Sequence, residues 1–256
     1  MPWTVATLNL NGIRSANRRG FAAWRDTTPV DVLLLQELRM QRPEMTAEHL
    51  PPDGWAHAQA DAEKKGYSGA AVWSRLPAKA AQTGCGLGWA DAEGRIARLD
   101  LAQATVISAY LPSGSSGPER QAKKDEFLEY FLPVTAGLLA SGSPVLIGGD
   151  VNIAHREIDI HDPKGNAKNS GFLPHERAWM DRLLAQGWVD LYRHLCPAGR
   201  DYSWWSNRGR ARENNKGWRI DYLLASPALA ARAEACWIHR EADLSDHAPV
   251  LARFRD

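Results

Sequence analysis

The hydrophobic positions of the chain fall mainly into short runs of four to seven residues, bounded by Gly, Pro, Asn, Asp or Ser. Runs of this length are typical of buried strands, whereas helices need longer patterns with a period near 3.6 residues. We predict ten strands from these runs: Thr4–Leu10, Val32–Gln36, Gly69–Ser74, Ile96–Leu101, Thr105–Leu111, Val145–Gly148, Tyr202–Ser206, Arg219–Ala225, Cys236–His239 and Pro249–Phe254.

Three segments between these runs instead show helical spacing of their large apolar residues. They are residues 20–27, with Phe21 and Trp24 on one face; 118–132, with Phe127 and Phe131; and 173–187, with Trp179 and Leu183. There is no internal repeat and no low-complexity linker. Many short strands with few helices predict one α/β domain over residues 1–256, in which two packed sheets carry helices on the outside.

Composition narrows the protein class without identifying a function. The 256 residues are 44% hydrophobic and 24% charged, as in ordinary globular proteins. No apolar stretch approaches the 18 residues of a membrane helix, and the N-terminus lacks the pattern of a secretory signal. Cys85, Cys196 and Cys236 are far apart and odd in number. They indicate a reducing compartment and argue against a disulfide framework or a cysteine zinc site.

One predicted strand ends in residues that suggest chemistry. Val145–Ile147 is followed by Gly148 and Gly149, and then by Asp150 and Asn152. In an extended segment, residues two apart point to the same face, so the carboxylate and the amide are expected to project together. Open α/β sheets bind ligands at this carboxyl end of their strands. The alternative is an ordinary turn, since Asp and Asn often follow Gly in turns.

Other predicted strands also have polar residues at or near an end. They are Asn9, Asn11, Gln36, Glu37, Tyr110, Asp221, Asp246 and His247. Each has a structural explanation alone, such as the start of a solvated helix, a satisfied buried acid or a turn. Together they predict one rim where carboxylates, amides and an imidazole converge.

This collection of side chains fits metal-assisted chemistry on phosphate. Glu37 and Asp246, with Asn9, offer the oxygen ligands that Mg²⁺ or Mn²⁺ prefers. The sequence contains no HExxH motif and no cysteine cluster, which makes zinc a poor candidate.

The remaining polar residues supply a hydrolytic apparatus. Asp221 and His247 resemble an acid–imidazole pair, in which the carboxylate fixes the ring and favours its protonated form. An imidazolium stabilises a pentacovalent phosphate transition state. Asp150 is expected to take a proton from an attacking water that Asn152 orients, and Tyr110 to contact a phosphate oxygen or the leaving oxygen. The set predicts hydrolysis of a phosphate ester without a covalent intermediate.

A basic, aromatic segment lies within this otherwise neutral chain, whose net charge is +1. Residues 200–219 contain six Arg or Lys against two acids, together with Trp204, Trp205 and Trp218. Basic residues usually form a solvated face, and tryptophans usually pack in a core. Their alternation in a Gly- and Asn-rich loop favours phosphate contacts with stacking or wedging against nucleic acid.

The chain resembles the exonuclease III family of AP endonucleases, in its bacterial form. The matching segments are TLNLNGIRSA, LLLQE, GYSGAAVWSR, AYLPSGSS, GGDVNIAHREIDIHDPKGNAKNSGFLPHER, NNKGWRIDYLLAS and LSDHAPV, in the family's order and over nearly the whole chain. The resemblance implies a four-layered α/β sandwich of two packed mixed β-sheets flanked by helices. It also implies a divalent metal, cleavage 5′ to abasic sites, removal of blocking groups at 3′ ends and a 3′→5′ exonuclease on duplex DNA.

The resemblance also assigns roles to residues. It implies Glu37 as metal ligand with Asn9 and Asp246 nearby, a second metal position at Asp150, Asn152 and His247, and the roles given above for Tyr110 and Asp221. We further expect DNA contacts from Arg208, Arg210, Arg212, Asn215, Lys216, Trp218, Trp204, Asn166 and Asn169. The chain departs from the family pattern at Leu38, Ser113 and Trp204, which puts the balance of activities in doubt but removes no catalytic group.

Two other functions stay open. Another phosphoesterase of the same fold, such as an inositol-phosphate phosphatase or a sphingomyelinase-like enzyme, shares the Glu, Asp-x-Asn and Asp-His pieces, although the NNKGW segment favours DNA. A catalytically silent DNA-binding module would be expected to have a broken catalytic set. The expected partner is double-stranded DNA with abasic sites or blocked 3′ ends. We expect a monomer in the bacterial cytoplasm, associated with the nucleoid through DNA and not with a membrane.

Overall fold

The computed structural model describes all 256 residues and contains fourteen strands, eight α-helices and three short 3-10 helices. The strands are β1 Trp3–Asn9, β2 Val32–Gln36, β3 Ala56–Ala60, β4 Ala70–Ser74, β5 Ala78–Thr83, β6 Ile96–Leu101, β7 Thr105–Tyr110, β8 Val145–Asp150, β9 Val189–Asp190, β10 Trp204–Trp205, β11 Gly217–Trp218, β12 Asp221–Ala225, β13 Ala233–Ile238 and β14 Val250–Phe254. The helices are α1 Ile13–Arg18, α2 Phe21–Thr27, α3 Gly88–Ala92, α4 Pro118–Ala140, α5 Pro163–Asn166, α6 Pro174–Ala185, α7 Leu191–Leu195 and α8 Pro227–Ala230. None of the helices is both long and apolar enough to span a membrane.

Two six-stranded sheets form the centre of the molecule. Their strand orders are β13-β14-β1-β2-β4-β3 and β5-β6-β7-β8-β12-β9, and β10 and β11 form a separate two-stranded ribbon. Each sheet is mixed, because β1 pairs with β2 in parallel, as β7 does with β8, while the other pairs are antiparallel. The sheets pack face to face, with β1 against β8 and β2 against β7.

Helices cover the outer face of each sheet and complete four layers. Phe21 of α2 packs with Leu33 of the first sheet, and Phe127 of α4 packs with Ile147 of the second. Successive residues of a central strand therefore face different apolar layers: Val5 points between the sheets and the next residue points toward the helices. Strands buried on both faces read as continuous apolar runs. The predicted four-layered α/β sandwich is confirmed.

The strand predictions missed three of the four sheet edges and found only part of the fourth, β13, as Cys236–His239. Ala56–Ala60, Ala78–Thr83 and Val189–Asp190 are edge strands, and the first two are rich in Ala, Gln and Lys, which have low strand propensity. Two predicted strands are shorter in the structure by two residues or more. The run at 202–206 pairs only over Trp204–Trp205, and the run at 219–225 begins at Asp221.

A buried ion cluster lies immediately before β12. Arg219 is 1% exposed, and its guanidinium donates to Asp159 Oδ1 at 2.7 Å and to Asp190 Oδ2 at 2.8 Å. Burial raises the pKa of Asp159, but the charge and hydrogen bond of Arg219, with smaller effects from Arg156 and Arg193, lower it by more. The pKa of Asp159 therefore lies below its ordinary value. The ionised Asp159 therefore stabilises the fold at any pH above the ordinary carboxyl pKa. This contribution is lost as the pH falls through the lowered pKa of Asp159. Arg219 is an anchor of the fold and is not available for DNA.

Replacing Arg219 by Leu is expected to destabilise the protein by about 3–5 kcal/mol, because the buried carboxylate of Asp190 loses its counter-charge and that of Asp159 keeps only Arg193. Urea unfolding followed by circular dichroism measures the loss. Arg208→Leu, at an exposed position of the same basic segment, is the matched control and should change stability by less than about 0.5 kcal/mol. Equal losses for the two variants would contradict an anchoring role for Arg219.

Candidate active site

The polar strand ends meet at one rim of the sandwich, around a cavity of about 600 Å³. Most of the predicted site residues line this cavity. They are Glu37, Tyr110, Asp150, Asn152, Asp246 and His247, together with Trp204, Trp218 and Asn169. Asn9 and Asp221 lie just beneath the lining and bond to it from below. The structure thus brings together the catalytic and metal-binding residues predicted from the sequence.

The two glycines before Asp150 are required by close approach of neighbouring chains. A Cβ on Gly148 would lie 2.4 Å from Leu34 Cδ1 of the facing sheet, and one on Gly149 would lie 1.8 Å from the carbonyl oxygen of Ala109. Neither glycine has a positive φ. The glycines therefore let β8 sit tightly against β7 and the opposite sheet, which brings Asp150 to the seam between the sheets.

Asp150 and Asn152 come together through a turn, not through the extended backbone expected from the sequence. β8 ends at Asp150, and Asn152 has a left-handed φ of 57°. The Asn152 backbone N–H donates to Asp150 Oδ1 at 2.9 Å, and its Nδ2 donates to Asp150 Oδ2 at 3.1 Å. The sequence left open whether Asp150 and Asn152 form a functional site or an ordinary turn. In the structure they form a turn, and both side chains also line the cavity.

Asn9 bridges two carboxylates from beneath. Its Nδ2 donates to Glu37 Oε1 and to Asp150 Oδ2, each at 2.9 Å, while its Oδ1 accepts the N–H of Asn11 at 3.0 Å. Its side-chain oxygen therefore faces away from the carboxylates. This orientation makes Asn9 a positioning residue for Glu37 and Asp150, and its role as a metal ligand stays a prediction.

Glu37 has partners on both oxygens. Its Oε1 also accepts the Tyr110 hydroxyl at 2.8 Å, and its Oε2 accepts Arg39 Nε at 2.8 Å. Arg39 follows Glu37 by two residues, has a left-handed φ of 51°, and places a cation beside this carboxylate. Burial, followed by the charges of Glu37 and Asp150, raises the pKa of Tyr110 well above its ordinary value. Tyr110 therefore stays protonated and acts as a donor.

Asp221 and His247 form the predicted pair. His247 Nδ1 lies 2.9 Å from Asp221 Oδ2, and its Nε2 faces Asp150 Oδ2 at 4.0 Å. Burial lowers the pKa of His247, but the adjacent Asp221 and then Asp150 outweigh it and raise the pKa to about 10. The ring is therefore an imidazolium at neutral pH, which Asp221 holds with Nε2 directed to the cavity.

The surroundings of Asp150 disfavour its charged form, whereas those of His247 favour the charged form of the ring. Burial raises its pKa most, and Asp221 and Glu37 raise it further, whereas His247 and Asn9 lower it; the result is a pKa of about 7. A carboxylate with a pKa near the working pH is suited to accept and release a proton.

Asp246 lacks a cationic partner. Its oxygens accept Asn11 Nδ2 at 2.9 Å and Trp204 Nε1 at 3.1 Å. Asn11, which was noticed at a strand end but not assigned to the site, thus orients Asp246. The sequence feature that could have identified Asn11 is the pair Asn11–Gly12 directly after a strand, which is typical of a turn. In this turn Asn11 has a left-handed φ of 46°.

The donors at the rim fit a divalent cation. Four carboxylates converge there, from Glu37, Asp150, Asp221 and Asp246, against the imidazolium of His247 and the guanidinium of Arg39. This leaves an excess of negative charge on hard oxygen atoms, which suits Mg²⁺ or Mn²⁺. Ligand atoms of Asp150, Asp221 and His247 lie within 4.8 Å of one another. His247 Nδ1 already bonds Asp221. The carboxylates of Glu37 and Asp246 line the cavity, and each oxygen accepts hydrogen bonds but keeps lone-pair capacity, so these two residues are the donors available to hold the ion.

The basic segment divides into exposed and anchored residues. Arg208, Arg210, Asn215 and Lys216 are exposed. Arg212 instead donates to Asp243 Oδ1 at 3.0 Å and to three backbone carbonyls, and its guanidinium lies 4.8 Å from the ring centroid of Trp205. Because these bonds hold the guanidinium of Arg212 within the protein, they argue against the predicted phosphate contact of Arg212.

Trp218 and Trp204 form one wall of the cavity. Their rings meet edge to face, with centroids 5.9 Å apart. Trp218 is half-buried and also packs on a small apolar cluster containing Phe172 and Ile220. It belongs to β11, whereas Asp221 begins β12, so the two residues lie on different strands.

The other predicted contacts and the departures from the family pattern have distinct positions. Asn169 lines the cavity, but the side chain of Asn166 donates to backbone carbonyls of its own turn and does not line it. Leu38 is buried under α1. Ser113 lines the cavity with its hydroxyl 2.9 Å from Ser115 Oγ.

Comparisons with known proteins agree with this geometry. The model of the endonuclease/exonuclease/phosphatase family matches residues 6–247. An exodeoxyribonuclease of Bacillus subtilis is 36% identical over 94% of this chain and 95% of its own length. The DNA repair nuclease APEX1 of Danio rerio is 32% identical over 96% of this chain and 80% of its own length.

Solved structures give the same result. A 3′–5′ exonuclease of Neisseria meningitidis superposes with a TM-score of 0.90 at 27% identity, over 99% of this chain and 100% of that one. An AP endonuclease of Archaeoglobus fulgidus superposes with a TM-score of 0.89 at 28% identity and the same coverage. The chain therefore belongs to the endonuclease/exonuclease/phosphatase family, among its exodeoxyribonucleases and AP endonucleases.

Proposed function

We propose that this protein is a DNA-repair nuclease that cleaves phosphodiester bonds 5′ to abasic sites in duplex DNA. It would also remove blocking groups from 3′ ends and degrade duplex DNA in the 3′→5′ direction. The observation that carries the proposal is the buried Asp221–His247–Asp150 array beside Glu37, in a cavity walled by two tryptophans. The relatives named as AP endonucleases and exodeoxyribonucleases support the substrate.

The proposed reaction is direct attack of water on phosphorus. Asp150 accepts the proton of that water, because its pKa of about 7 lets it act as a base near neutrality. Asn152, turned onto Asp150, orients the water. The His247 imidazolium, held by Asp221, stabilises the negative charge that develops on the phosphate oxygens. Tyr110, which stays protonated, donates a hydrogen bond toward the leaving oxygen or a phosphate oxygen.

Glu37 and Asp246 are the residues proposed to hold Mg²⁺ or Mn²⁺. When bound, the cation polarises the phosphate and neutralises charge on the leaving oxygen. Asn9 and Tyr110 keep the inner oxygen of Glu37 in place, and Asn11 keeps Asp246 in place. We further propose that residues 1–256 act as one domain and as a monomer, in the bacterial cytoplasm at the nucleoid.

One assay panel tests the proposal against its alternatives. The protein is incubated with an abasic duplex, a nicked duplex with a 3′-phosphate, a blunt duplex and a phosphoinositide, each with and without EDTA. EDTA-sensitive cleavage of the abasic duplex is expected, with no phosphate release from the phosphoinositide. The reverse pattern would indicate another phosphoesterase of the family, and DNA binding without any cleavage would indicate a silent module.

Glu37→Gln should leave the fold intact and lower turnover at ordinary Mg²⁺ by about 100-fold or more, with partial recovery at higher metal concentration. The reason is that an amide is a weaker ligand for a hard cation than a carboxylate. Mn²⁺ binding by calorimetry should weaken in parallel, and Glu44→Gln, on the surface, is the control. Unchanged Mn²⁺ affinity and turnover would remove Glu37 from the metal site.

His247→Ala and Asp221→Ala should lose activity non-additively, since Asp221 acts through the ring that it holds. Each single change is expected to lower kcat by about 100-fold or more, and the double variant should be little worse than His247→Ala alone. A double variant whose loss equals the product of the two single losses would show that the residues act independently.

Trp218→Ala should reduce the preference for abasic over intact duplex, because an abasic site offers no base to read and is selected through backbone bending and sugar flipping. Its salt dependence should hardly change. Arg208→Ala should weaken binding to both duplexes and lower the slope of log K against log salt by about one. Arg212→Lys, at the anchored position, is the comparison. Titrations at several salt concentrations measure these effects, and an unchanged abasic preference would make Trp218 structural.

A further inference from the structure

A fully buried ion pair lies behind the catalytic turn. Lys124 of α4 and Glu176 of α6 each have 0% side-chain exposure, and Lys124 Nζ lies 2.6 Å from Glu176 Oε1. The pair does not line the cavity, and the proposed reaction gives it no role. In proteins, replacing a buried ion pair by apolar residues of similar volume is often neutral or stabilising, so a contribution to stability does not by itself explain this pair.

The hydrogen bonds of Lys124 lead to the site. Its Nζ donates to the backbone carbonyl of Asn152 at 2.8 Å. Asn152 is the residue with a left-handed φ whose amide turns back onto Asp150. A left-handed non-glycine residue is strained and persists only when its surroundings hold it. Lys124 supplies a directed bond to this turn.

The bonds of Glu176 lead to the neighbouring loop, which supports the tryptophan wall of the cavity. Its Oε2 accepts the N–H of Gly171 at 2.7 Å and that of Leu173 at 3.0 Å. Gly171 lies so close to the wall that a Cβ there would be 2.8 Å from the Trp218 ring and 3.1 Å from the Asn152 carbonyl oxygen. Glu176 thereby fixes the loop on which Trp218 rests.

We propose that Lys124 and Glu176 are positioning residues, which together set the Asn152 turn against the Gly171 loop and so align the proposed water-activating groups with the DNA-binding wall. The inference rests on the proposed function of the site. An apolar replacement would restore packing but would supply neither the donor to Asn152 nor the acceptor for Gly171 and Leu173. Stability and catalysis should therefore respond differently to the same change.

The double replacement Lys124→Met with Glu176→Leu separates the two effects. Each single variant leaves a buried charge without a partner, and its Tm is expected to fall by roughly 10 °C. The double variant should regain most of that loss. Its kcat on the abasic duplex should nevertheless stay about 10- to 100-fold below the wild type, because small misplacements of reacting groups cost that much. Lys123→Met, at the exposed neighbouring position of α4, is the matched control for both measurements.

A mutant cycle tests whether Lys124 acts through Asn152. In an Asn152→Ala background, Lys124→Met should lower kcat little further, since the side chain that it positions is gone. Multiplicative losses would assign Lys124 a merely structural role. Should the double replacement not fold, Glu176→Gln, of equal volume, replaces one acceptor oxygen by a donor and should lower kcat by about 10-fold or more. Wild-type kcat in that variant would overturn the proposal.

The same assays separate this inference from the proposed function. If the wild type and Lys123→Met do not cleave the abasic duplex, the proposed function fails. If both cleave it and the folded double variant is equally active, only the positioning role fails.

Discussion

The site depends on the register between the two sheets, which a few buried polar bonds fix. Asn9 of the first sheet donates to Asp150 of the second, and Gln36 donates across the same interface to Ser108 Oγ at 2.9 Å. Apolar packing between sheets is non-directional and tolerates sliding. A buried amide without its partner costs free energy, so these bonds select one alignment. Gly148 permits the close approach that makes them possible.

That alignment concentrates negative charge where water is scarce, and the chemistry follows from it. Two buried carboxylates, Asp150 and Asp221, lie on either side of one imidazole. Burial and the nearby charges of Asp221 and Glu37 raise the pKa of Asp150 to about 7, while Asp221 and Asp150 raise the pKa of His247 to about 10. Environments that separate the pKa values of neighbouring groups in this way give the members of one cluster different acid–base roles.

The polar residues at the strand ends could be predicted from the sequence, because the strands before them are buried on both faces and read as continuous apolar runs. What failed was geometry set by tertiary contacts. Edge strands such as Ala78–Thr83 carry little apolar signal, and nothing local distinguishes the anchored Arg212 from the exposed Arg208. Asp150 and Asn152 were expected to share a face through extended backbone, whereas a left-handed residue brings them together.

Left-handed backbone recurs around the cavity at non-glycine residues: Asn11, Glu37, Arg39 and Asn152. Each such residue is strained, and strain of this kind persists only where surrounding bonds over-determine the chain. Here the bonds are present: the carbonyl of Glu37 accepts the N–H of Gly12, and that of Asn152 accepts Lys124. The strained backbone re-aims side chains at strand ends, which a pleated strand would point to alternate faces. The sandwich therefore stabilises, through its buried polar contacts, the local geometry that lets several strands direct their polar groups to one cavity.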